Sequence, residues 1–188
     1  MRSFCEKFAN ALVESKQCDP RDKEIIIFGL ASAIEIIGNI ITTLIIGFCL
    51  KMTLESILFL FSFSFIRTYT GGYHAEKAST CYIMSSSIII LALLTCKIMP
   101  EAYFISTSII LLIVAIPTIL CLAPVAAKHK PLDYEEVSYF RKKSLISLFI
   151  ELLIIAVFTI VGFKAGIFLV SLSLFLVSIL MMMEELSK

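Results

Sequence analysis

His74 is one of two histidines in the chain and stands seven residues before Cys81. Both lie in the polar stretch Arg67-Thr-Tyr-Thr-Gly71-Gly72-Tyr73-His74-Ala-Glu76-Lys77-Ala-Ser79-Thr80-Cys81. A thiol becomes a nucleophilic thiolate near neutral pH when a base or a cation sits beside it, and His74 could be that base. On one continuous helix seven residues turn about 700° and rise about 10.5 Å. That is too far for the ~3 Å hydrogen bond of a working pair, so the chain must bend between them. Gly71-Gly72 provides a turned entry where the backbone could approach a substrate closely. Ser79 suits the N-cap of a helix that follows, placing Cys81 in its first turn at the positive end of the dipole. Arg67 is the natural third element: it could anchor a carboxylate, stabilise an oxyanion, or pair with Glu76 or Glu35. It also suits an arginine that snorkels to a membrane interface. A His and a Cys at this spacing do not by themselves establish catalysis.

The elements that carry this stretch follow from composition. Of 188 residues, 59% are apolar and 16% charged, and the mean hydropathy is +0.98. Soluble domains run about 45–50% apolar and ~25% charged, so an all-α integral membrane protein is expected. A formal net charge of +1 excludes a strongly basic nucleic-acid binder. Residues 2–17 place Phe4, Phe8 and Leu12 on one helical face with charged residues elsewhere, predicting an amphipathic helix on the membrane surface or packed on the protein's own cytosolic face.

Six apolar segments follow: Ile25 to Leu50, Met52 to Ile66, Thr80 to Cys96, Ala102 to Ala127, Leu145 to Phe163 and Ala165 to Met183. All but the second meet the length of about 17–25 residues needed to cross a bilayer; the second, with Glu55 inside it, would reach only about 22 Å. Charge decides its case. With six spans and a cytoplasmic N-terminus, all but Lys51, Lys97 and Lys164 of the 16 Lys and Arg fall inside. Were the second segment not to cross, the loop holding Lys128, Lys130, Arg141, Lys142 and Lys143 would face outward, against the positive-inside rule. Both termini and both polar loops are therefore expected in the cytoplasm.

The chain reads as one membrane domain over 1–188, with an amphipathic segment at 1–24, a transmembrane bundle at 25–183, a loop at 67–81 on the cytoplasmic edge and a basic loop at 128–143. Pro117 and Pro124 in the fourth segment remove backbone donors and call for shielded kinks. Glu35 and Asn39 share a face of the first span and Glu151 lies in the fifth; such groups at membrane depth suggest function or pairing across helices. They support a competing reading of the chain as a small transporter or peptide exporter. A membrane scaffold is a third. Cys5, Cys18, Cys49, Cys81, Cys96 and Cys121 are expected as free thiols, and no convincing zinc set is present. The basic residues could hold an acidic peptide, bind anionic lipid, or simply set topology.

The pattern Arg67-(x4)-Gly72-x-His74-(x6)-Cys81 resembles the signature of the accessory gene regulator protein B family, membrane peptidases that process quorum-sensing pro-peptides. The stretch from Ala123-Pro124 to Lys128-His129-Lys130-Pro131-Leu132 resembles that family's basic loop, departing from it in His129. The resemblance implies His74 and Cys81 as the catalytic pair, with Arg67 and Gly72 around them; Gly71 joins Gly72 in the turned entry as active-site support, and Lys128 and Lys130 could bind the substrate. It implies a pro-peptide with an amphipathic leader docked at the inner leaflet, a thioester on Cys81, and closure of a thiolactone or lactone ring. It also implies a homodimer, with no metal or nucleotide required. If six segments cross, cysteines placed near Lys51 or Lys97 should react with an impermeant maleimide from outside, and one near Lys130 should not.

Overall fold

The computed structural model describes residues 2–15, 19, 22–72, 78–126 and 133–186. Seven α-helices cover most of them: α1 (Arg2–Glu14), α2 (Lys23–Leu50), α3 (Thr53–Thr70), α4 (Ala78–Ile98), α5 (Phe104–Leu122, entered through a 3-10 turn at Glu101–Tyr103), α6 (Tyr134–Val161) and α7 (Lys164–Leu186). Extended pairing among the described residues is an isolated bridge between Gly71 and Val125. Five helical stretches are long and apolar enough to cross a membrane: α2, α4, α5 with its 3-10 turn, α6 and α7. α3 is outside that set. Its 18 residues reach about 27 Å, longer than the apolar run alone, but Glu55, Arg67 and its serines lower its hydropathy.

The chain packs as two compact units, Met1–Thr42 and Thr43–Lys188. In the first, Cys5 and Ala9 of α1 are buried with Ile27 of α2, and Ile26, Leu30, Ala31 and Ile34 pack around them. The face that α1 uses is therefore the small-residue one. Phe8, expected on its apolar face, is 48% exposed, while the side chains of Phe4 and Leu12 lie outside the described set.

In the second unit α7 is the central helix, packed by α3, α4, α5 and α6. Phe168, Leu169, Leu174 and Val177 of α7 are buried with Phe59 and Ile66 of α3, Leu93 of α4 and Ile119 of α5. Phe104 stacks on Phe168 with ring centroids 5.1 Å apart. Close approach of helices in lipid relies on small residues and satisfied hydroxyls. Ser171 and Ser178 fit that rule, being buried and donating to the carbonyls of Ile167 and Phe175 at 2.8 and 2.7 Å. One polar knot ties three helices together. Ser62 of α3 donates to Glu151 Oε2 of α6 at 2.9 Å, and its hydroxyl also meets that of Ser173 on α7. This contact accounts for Glu151 as a group paired across helices.

Two helix ends differ from the sequence reading. α5 stops at Leu122, so Pro117 alone lies within a helix and Pro124 falls beyond it, after a cis peptide bond. α6 starts at Tyr134, eleven residues before its apolar run. Asp133 begins it through a capping box in which Glu136 Oε2 accepts the Asp133 N–H at 3.1 Å, satisfying donors that a helix start otherwise leaves bare. The expected basic loop is thus helical from Tyr134 onward, and Arg141, Lys142 and Lys143 ride on α6. At the opposite end of α3, Lys97 of α4 donates to the Leu50 carbonyl at 3.1 Å, so the α2–α3 turn and the end of α4 lie together.

Removing the Ser62 hydroxyl strands a buried carboxyl oxygen, which costs about 1–3 kcal/mol. Ser62→Ala should lower the thermal midpoint of the purified protein in detergent, and Glu151→Gln, which keeps an acceptor for Ser62, should lower it less.

Candidate active site

The site is assembled where α3 ends and α4 begins. Arg67 lies in the last turn of α3, half-buried, with its guanidinium carbon 5.6 Å from the centroid of the Phe63 ring one turn earlier. That stacking holds a long side chain by a cation–π contact and points to more than a loosely snorkelling arginine. Arg67 and Cys81 are near enough for their charges to interact. Cys81 is the fourth residue of α4 and is partly exposed. Its position in the first turn agrees with the sequence reading, although the helix already begins at Ala78, so Ser79 lies inside it and is not its cap. Backbone N–H groups of a first turn have no partner within their own helix and favour an anion. Cys81 thus belongs to the first turn of a helix, with the Arg67 guanidinium within charge range.

The glycines have a different task from the one expected. Gly71 closes α3 by donating its N–H to the Arg67 carbonyl at 3.0 Å and has φ +74°. It pairs with Val125 in the parallel bridge, where the Val125 N–H donates to the Thr70 carbonyl at 2.9 Å. A Cβ on Gly71 would overlap the Val125 carbonyl oxygen. Gly72 has φ +117°, and a Cβ there would come within 3.3 Å of the backbone of Leu180 and Met181 on α7. Both bare faces are thus used against the protein's own backbone, not kept open for a substrate. Positive φ makes any other residue costly at either position.

His74 and Glu76 fall outside the described residues, as do Lys128, His129 and Lys130. The described part of the site is Arg67, Gly71, Gly72 and Cys81. Glu35 and Asn39 lie half-buried on α2 in the first unit, and Glu151 is engaged by Ser62 as above. The described cysteines 5, 49, 81, 96 and 121 are free thiols.

Three participants at this edge were not singled out from sequence for positions in the site: Val125, Arg141 and Ser144. Arg141, read only as one of several basic loop residues, directs its guanidinium to the carbonyls of Leu120, at 2.6 Å, and Ala123. Ser144 Oγ lies 2.8 Å from the Tyr69 carbonyl and 2.7 Å from that of Phe140. The signal for Val125 was its place just after Pro124; for Arg141 and Ser144, one turn apart, no sequence signal separates them from the other polar residues around them. Nearby, Pro117, Thr118, Cys121, Leu122 and Met182 line a shallow apolar cavity of 290 Å³ between α5 and α7.

Comparison with known proteins places the chain in a family. No solved structure matches the chain. An AgrB-like protein of Clostridium perfringens strain SM101 is 29% identical over 159 residues, covering 78% of this chain and 73% of the relative. AgrB-like protein 2 of Clostridium perfringens strain 13 is 28% identical over 151 residues, covering 76% and 69%. The family model described as Accessory gene regulator B matches residues 5–183, which takes in α2 to α6 and all but the last turn of α7. The chain belongs to the accessory gene regulator B (AgrB) family.

Proposed function

We propose that this protein is a multi-pass cytoplasmic-membrane cysteine endopeptidase that cleaves a quorum-sensing autoinducer pro-peptide and passes the cleaved segment on to ring closure. The observation that carries this reading is Cys81, placed in the first turn of α4, with Arg67 held on Phe63 in the last turn of α3. Membership of a family known for processing autoinducer peptides supports it. In this reading α3 is a sixth span, with Phe59, Phe63 and Ile66 packed inward and Leu54, Ile57 and Phe61 toward lipid, and both termini and the site face the cytoplasm. The positive-inside distribution of Lys and Arg supports that orientation. The two packed units act within one membrane domain, the α1 segment rests at the interface, and the working form is a homodimer.

The chemistry follows in two transfers. His74 takes the thiol proton of Cys81, and the thiolate attacks the scissile carbonyl. First-turn N–H groups of α4 and the Arg67 guanidinium favour the developing negative charge. Collapse breaks the C–N bond, the tail leaves as an amine that takes the proton from His74, and the upstream part stays as a thioester on Cys81. A Cys or Ser within the bound peptide then gives its proton to His74 and attacks that thioester, closing a thiolactone or lactone and returning the proton to the Cys81 sulfur. Exchange between thioesters is nearly neutral in energy, so ring closure outruns hydrolysis only where water is excluded and the internal nucleophile is held close. The peptide's amphipathic leader would bind the inner leaflet, and Lys128 and Lys130 would meet its acidic part.

Co-expression with a tagged candidate pro-peptide tests the reading. Cys81→Ala should abolish cleavage and His74→Ala should reduce it about 10²–10⁴-fold, both at normal membrane levels; undiminished cleavage by Cys81→Ala overturns the proposal. Alkylation of Cys81 by iodoacetamide at pH 7 reads the role of Arg67 separately. Arg67→Gln should slow it roughly fivefold, the equivalent of about 1 kcal/mol of charge pairing, and Arg67→Lys should retain most of the rate.

A further inference from the structure

The end of α5 is where a charge has been placed against the backbone of the active-site edge. Carbonyls in the last turn of a helix have no donors within the helix, and together they form its negative pole. In α5 the Ala123 N–H returns to the Ile119 carbonyl at 3.1 Å. Leu120 and Ala123 turn their carbonyls to the two terminal nitrogens of Arg141. A guanidinium presents its N–H groups to both carbonyls as a rigid fork; an ammonium would keep the charge and enough donors to hold them less firmly. Two residues farther on, the Val125 N–H holds the Thr70 carbonyl at 2.9 Å, and Val125 is the partner of Gly71. One turn along α6 from Arg141, Ser144 lies 2.8 Å from the Tyr69 carbonyl. The contacts form a closed circuit: α6 to the end of α5, to Val125, to the end of α3, and back to α6. Arg67, whose own carbonyl receives the Gly71 N–H, sits in the turn that this circuit fixes.

We propose that Arg141 is a positioning residue for the peptidase site, holding the end of α5 so that Val125 sets the last turn of α3, and with it Arg67, in place beside Cys81. This rests on the peptidase reading above and assigns Arg141 a task distinct from binding an acidic substrate tail or a lipid headgroup. Loss of the guanidinium should let the Val125 segment move away from Thr70, lowering turnover while leaving peptide capture intact. The α3–α7 core, built from other contacts, should stay folded.

The test uses the full chain in nanodiscs as wild type, Arg141→Gln and Arg141→Lys, with a tagged pro-peptide as substrate. Arg141→Gln should lower kcat by about tenfold to a hundredfold with KM little changed, and Arg141→Lys should recover a substantial part of kcat. Amide hydrogen exchange at Val125, read without peptide, should speed up about tenfold or more in Arg141→Gln and return toward wild type in Arg141→Lys, while exchange in the middle of α7 is unchanged. A raised KM at unchanged kcat would identify a substrate-tail contact and overturn the proposal. So would unchanged exchange at Val125, or an Arg141→Lys variant no better than Arg141→Gln. If the Cys81→Ala control still cleaves, the peptidase reading falls; the exchange data still report separately whether Arg141 fixes this edge.

Discussion

Close packing around α7 is the constraint from which the end of α3 takes its geometry. In lipid the hydrophobic effect gives helices little reason to associate, so contact must come from shape and from hydroxyls satisfied within the bundle. α7 meets this demand with buried Ser171, Ser173 and Ser178 among its large apolar side chains. Ser62 of α3 then finds Ser173 on one side and Glu151 on the other, which sets α3 against both α6 and α7. Once α3 is fixed, its C-terminal turn has one place to go. Gly72 passes over the backbone of Leu180 and Met181, and Arg67 is carried in the turn before it.

This arrangement also explains how a helix that carries Glu55, Arg67 and several serines can pack against α7. Glu55, the serines and Arg67 make α3 a poor candidate for exposure to lipid, yet α4, α6 and α7 all pack on it. Ser62 then becomes an interhelical contact, while Ser56, Thr68 and Thr70 return their hydroxyls to carbonyls of α3 itself, at a cost much smaller than bare exposure to hydrocarbon. Hydropathy and enclosure are separate properties of a segment, and only the second decides whether it can lie at membrane depth.

The sequence made the helical class, the location of most helices and the placing of Cys81 in a first turn legible, because apolar run length and helix-start chemistry are local. It did not reveal which backbone would lie against Gly71 and Gly72. Two adjacent glycines are equally suited to a flexible loop, a substrate path or a tight contact, and the choice depends on Val125, more than fifty residues away, and on α7. α6 was read too short because its first turns are polar and carry Arg141 to Lys143, which look like a basic loop until the Asp133–Glu136 cap is seen to start a helix. Pro124 was placed inside a span because apolar composition continues past Leu122 even though the helix does not. Arg141 was hidden among neighbours of the same charge; only the carbonyls it faces distinguish it.

The backbone contact between Gly71 and Val125 has a consequence for how the chain tolerates change. Main chain lies directly on main chain here, with no side chain between that could shift to make room. A methyl group added at Gly71 would have to displace the Val125 carbonyl, so a change at one residue would be felt at two helix ends that the sequence sets more than fifty residues apart.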